Sequence, residues 1–104
     1  MHVYKELYCD EKCKKKKQVI LHRIRVHAGL APSVYLITLA GSDDYFDILP
    51  GYVLKQKQYP IDDLYVMGMA DGYDSAVELV QEMIRDFSEQ FETVYFKEQL
   101  WGLF

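Results

Sequence analysis

The chain holds two cysteines, three prolines and one tryptophan among 104 residues, and its longest apolar runs are only strand-length. Each shortage excludes something. Two thiols cannot build the multi-bridge framework of a small secreted domain. Without about twenty apolar residues in a row, no segment reads as a membrane-spanning helix. The start, MHVYKELYCDEKCKKKK, carries charges where an export signal has its apolar segment. The expectation is a cytoplasmic protein with reduced thiols that does not enter a membrane. G-x-S-x-G is absent, and so is the lysine of a phosphate-binding loop. No catalytic residue and no cofactor is expected.

What the chain has is apolar mass and divided charge. Half the residues are apolar and 14% are aromatic, enough for one domain with its own core. The net charge of −4 conceals two unequal parts. Residues 1–42 carry eight basic and three acidic side chains; residues 43–104 carry four basic and thirteen acidic. The first part is therefore +5 and the second −9, a polarity that bears on partners and on self-association.

The clearest stretch is Leu64 to Phe91. Leu64 to Ala70 is apolar on both faces, as in a strand covered on both sides: Leu64, Val66, Gly68 and Ala70 alternate with Tyr65, Met67 and Met69. Asp71 is placed to cap the following helix, and Asp74 to sit in its first turn. From there Tyr73, Ala76, Val77, Val80, Met83, Ile84, Phe87 and Phe91 recur at helical steps. Gly68 and Gly72 lie where phosphate loops lie, but the two acids occupy the anion's position, so they read as turn and packing glycines.

Residues 1–8 read as a short ordered lead-in, and Cys9 to Ala28 as a helix ended by Gly29. Val34 to Ala40 reads as a second strand with two apolar faces. Gly41 to Asp44 is a turn signal, and Tyr45 to Gln56 a hairpin or bent strand turning at Pro50-Gly51 with glycine at positive φ. In the tail, Phe96, Leu100 and Leu103 or Phe104 share helical spacing, with Gly102 ending the helix. The expected architecture is α+β: a mostly antiparallel three-stranded sheet, two long helices on one face in the order α-β-β-β-α, and a short C-terminal helix. This element order is similar to that of double-stranded-RNA-binding domains. In that family the last helix opens with lysines that meet phosphates; here the matching place, Asp71-Gly72-Tyr73-Asp74, is acidic, so the resemblance implies a topology and no RNA-binding role.

Three chemistries remain to be weighed. Cys9, Cys13, His22 and His27 suggest zinc, but on one helix Cys13 and His22 stand roughly 13 Å apart along the axis, so no metal site is expected. Asp43-Asp44 and Asp62-Asp63 are paired carboxylates that read as turn formers. Lys12, Lys14, Lys15, Lys16 and Lys17, with Arg23 and Arg25, form a basic stripe suited to phosphates or to an acidic partner. The second apolar sheet face needs cover, from the tail or from a second chain. The interface expected on that ground comprises Tyr35, Ile37, Tyr65, Met67, Met69, Phe96, Leu100, Trp101, Leu103 and Phe104. The resulting expectation is a non-enzymatic interaction module that forms a homodimer or binds another protein. The alternative is a nucleic-acid accessory protein using the basic stripe.

Overall fold

A computed structural model describes residues 1–41 and 44–104. Four strands form one mixed sheet: β1 (His2–Cys9), β2 (Val34–Leu39), β3 (Phe46–Pro50) and β4 (Tyr65–Asp71). Their order across the sheet is β1-β4-β2-β3. β1 runs parallel to β4, and β2 runs antiparallel to both β4 and β3. The domain is thus α+β, but its sheet has four strands and mixed direction, not three in antiparallel array. The lead-in at 1–8 is the missing fourth strand. It sits at an edge, where Lys5 and Glu6 interrupt the apolar pattern and stay exposed.

The long helix expected over Cys9 to Ala28 is divided. β1 continues to Cys9, followed by α1 (Glu11–Lys14) and α2 (Lys17–Arg25). Two local forces account for the division. Asp10 caps α1, its Oδ1 accepting from the Cys13 amide at 2.9 Å. The break falls inside the four-lysine run, where neighbouring ammonium groups repel one another on a continuous helix. α2 ends earlier than Gly29 would suggest, because His27 takes the left-handed conformation (φ 53°). His27 N–H donates to the Ile24 carbonyl and Ala28 N–H to that of Arg23, which closes the helix end.

On the other side of the sheet lie α3 (Tyr73–Gln90) and α4 (Lys97–Trp101). The expectation of both long helices on one face is therefore wrong. Strand β2 shows why, since its two faces feed two separate cores. Val34 and Leu36 pack with Cys13, Ile20, Leu21 and Ile24 beneath α1 and α2. Ile37 and Leu39 pack with Ala76, Leu79, Met83 and Phe87 beneath α3. Phe96 and Leu100 complete this second core, so the tail covers its own sheet. With helices on both faces and a parallel edge pair, the topology departs from that of double-stranded-RNA-binding domains.

Strand β4 departs from simple alternation. Val66 faces Thr38 and Gly68 faces Ile37, which leaves Met67 extra, a β-bulge. As a result Val66 and Met69 join the α1–α2 core while Met67 and Ala70 join the α3 core. Gly68 is needed at the bulge because a Cβ there would lie 2.9 Å from the Tyr8 carbonyl oxygen. Pro50 opens a 3-10 helix, Gly51–Lys55, in place of the expected type II turn. Gly51 serves close approach, since a Cβ would meet Leu30 Cδ1 at 2.8 Å. The helix α3 is capped by Gly72 at φ 109°, not by Asp71, which ends β4. Of the Gly41–Asp44 turn, Ser42 and Asp43 lie outside the described residues.

Candidate functional site

The α1–α2 layer does not close completely over the sheet. Between the two helices, the loop at Leu30–Ala31 and the ends of β2 and β4 lies a cavity of about 310 Å³. That is at the lower end of the range for small-ligand pockets. Cys13, Ile20, Leu30 and Val34 give it an apolar floor, and Lys12, Lys16 and Arg23 stand around it with Asp71. Val19, on the same helix, is 61% exposed although apolar. A shallower depression of about 330 Å³ adjoins it, lined by Glu11, Lys12, Lys15 and Lys16.

One carboxylate sets this geometry. Besides capping α1, Asp10 accepts through Oδ2 from the Asp71 amide at 2.8 Å. It thereby ties the start of the helical layer to the end of β4. Arg23 is held just as firmly. Its Nε donates to the Gly29 carbonyl at 2.8 Å and its Nη2 to that of Ala28 at 3.2 Å. Burial, with Asp10 close by, pushes the Cys13 thiol up to about 12, so it stays protonated and unreactive at neutral pH. Burial also raises Cys9.

The basic residues singled out in the sequence come together on this layer. Lys12, Lys14, Lys15, Lys16 and Arg25 are exposed, Lys17 is half-buried, and Arg23 is committed to loop carbonyls. Residues 11–25 carry seven basic side chains and one acidic, a balance of +6. The opposite layer has the opposite sign. Residues 73–90, which are α3, carry five acidic side chains and one basic, a balance of −4. The division of charge along the chain has become a division between the two faces of a sandwich.

The residues expected at an interface divide differently. Ile37, Met67, Phe96 and Leu100 are fully buried in the α3 core, and Met69 in the α1–α2 core. Tyr35 and Leu103 are half-buried. Tyr65 stacks on His2 at 4.3 Å and meets the rings of Trp101 and Phe104 edge-on, at 4.9 and 5.2 Å. Trp101 and Phe104 keep 40% and 38% of their surface in solvent.

His22 is exposed and His27 Nδ1 lies 3.2 Å from the Leu54 carbonyl, so neither approaches the buried Cys13 as a ligand set would. Among the described residues no three His, Cys, Asp or Glu side chains are grouped to hold a metal. No helix is long and apolar enough to cross a membrane, again among the described residues.

Sequence reasoning missed Asp10, Leu30 and the pair Val94 and Tyr95. Asp10 had a legible signal: an acid directly before Glu11-Lys12-Cys13, where an N-cap belongs. Val94 and Tyr95, on the α3–α4 connection, are 62% and 83% exposed. The tail's spacing held the signal: Val94 and Tyr95 fall outside the helical stripe through Phe96 and Leu100, which is buried. Comparison of the chain with family models, with curated proteins and with solved structures finds no match.

Proposed function

We propose that this chain is a small non-enzymatic interaction module that associates with further copies of itself through its outer helical layers. One observation carries the reading: a basic layer with an open apolar groove lies on one side of the sheet and an acidic layer on the other. The sheet faces themselves are closed by the chain's own helices, so a partner meets the outside of the sandwich. Complementary potentials of this kind orient an encounter and favour one arrangement over others. The groove's chemistry supports binding more than catalysis. Its thiol is held protonated, and its other ionisable groups are three fixed or solvated cations beside Asp71. Light scattering over a dilution series tests the reading. The expected outcome is a mass that rises with concentration at low salt; a constant monomer mass contradicts it.

The runner-up, nucleic-acid association, is favoured by the exposed lysines at 12 and 14–16 together with Arg25. Phosphate contacts give a steep loss of affinity with salt. Titration of mixed-sequence DNA and RNA with no salt-sensitive binding eliminates it.

A further inference from the structure

We propose that the Tyr95 side chain of one copy seats in the α1–α2 groove of the next, so that copies join head to tail. The inference rests on the self-association reading above and specifies its contact.

Three observations support this pairing. First, Tyr95 and Val94 form an apolar knob, and Tyr95 is the most exposed large apolar side chain among the described residues. Tyrosine suits a docking anchor, because it brings a large rigid contact with few torsions to immobilise. Second, the knob is already ordered. Glu92 takes the left-handed conformation (φ 55°) and ends α3, with its N–H donating to the Glu89 carbonyl and the Thr93 N–H to that of Ser88. Tyr95 N–H donates to Thr93 Oγ1 at 3.1 Å, and the Tyr45 hydroxyl donates to the Val94 carbonyl. The next residue, Phe96, is anchored in the core and stacked on Tyr45 at 4.6 Å. A segment held in this way gives up little entropy on binding. Third, the charges match. Glu92 and Glu98 are exposed and, with the half-buried Lys97 between them in sequence, leave the surroundings of the knob at −1, while Lys12, Lys16 and Arg23 with Asp71 give the groove a balance of +2.

The topology sets the symmetry. The knob sits by Tyr45, which precedes β3 and lies beside the Leu39–Ala40 end of β2, on the α3 side. The groove lies by Val34, at the other end of β2, on the α1–α2 side. Knob and groove therefore occupy opposite faces and opposite ends of one copy. They cannot meet within a copy, and two rigid copies cannot exchange them reciprocally. The contact is heterologous, and each open assembly keeps one free knob at one end and one free groove at the other.

Two blocked variants test this by sedimentation velocity in low salt. The first, Tyr95→Ser with Glu92→Lys, removes the knob and keeps the groove. The second, Lys12→Glu with Lys16→Glu, reverses the rim and keeps the knob. All four positions are exposed, and circular dichroism verifies folding of each variant. The intact chain is expected to form a concentration-dependent ladder. Each variant alone is expected to associate at least about tenfold more weakly, the first by losing a well-desolvated contact and the second by placing two like charges against Glu92 and Glu98. An equimolar mixture of the two is expected to give a one-to-one dimer that grows no further. If the intact chain associates and both variants do so equally well, this contact is wrong while self-association stands. Two monomeric variants that fail to pair on mixing overturn the head-to-tail arrangement. A monomeric intact chain at every concentration overturns both.

Discussion

Asp10 is the residue on which the candidate site depends most. Its two oxygens accept from the Cys13 and Asp71 amides, so one side chain caps α1 and fastens that helix to β4. Asp10→Ala removes the cap and leaves an amide at the strand end without its acceptor. The expected loss is about 1–3 kcal/mol of stability, read as a lower urea midpoint at unchanged slope. Cys13 gives a second check at this scale. Its thiol is raised from an ordinary value of 9.0 to about 12. Below pH 9 the thiol is protonated whether the chain is folded or not, and its contribution to stability is whole. Above that, the unfolded chain releases the proton and the folded chain keeps it, so stability falls as pH rises toward about 12. The fall is expected to be shallower in Cys13→Ala, compared by urea denaturation at pH 8 and pH 10. The same protonated, buried thiol is expected to react with a thiol reagent only after unfolding.

At the scale of elements, the two-sided strands were legible as short continuous apolar runs, and the long helix as one 3.6-residue period kept over its length. Val34 to Ala40 and the stripe through Ala76, Met83 and Phe87 are placed as expected. Other features depend on partners distant in sequence. β1 was missed because an edge strand needs only half an apolar pattern. Lys5 and Glu6 are permitted where the strand pairs on one side alone. The bulge at Met67 and Gly68 was invisible because it answers to the pairing with Ile37 and Thr38 and to the close approach of Tyr8. The cations of the candidate site could be read directly, but its groove could not, since the floor combines α1, α2, the loop after α2 and β2. The tail is the element whose role is most directly testable. Leu100 and Phe96 are fully buried against Phe87 and its neighbours. Leu100→Ala is expected to cost about 2–5 kcal/mol, through lost burial and the cavity left behind. Thermal denaturation measures this. A change within a few tenths of a kcal/mol would mean that α4 is not part of the core.

For the whole molecule, the sandwich converts charge segregated along the chain into two opposed faces, +6 over residues 11–25 and −4 over residues 73–90. Two like layers placed face to face repel, whereas unlike layers attract. Association through these layers is therefore expected to run front to back and to weaken as salt rises. The measurement that tests this most directly is a series of amide-proton and nitrogen correlation spectra of the intact chain over dilution, at low and high salt. The expected result is concentration-dependent shifts confined to two places, the groove around Val19 and Ile20 and the knob at Val94 and Tyr95, both fading at high salt. Shifts along β1, or none at any concentration, would contradict the account.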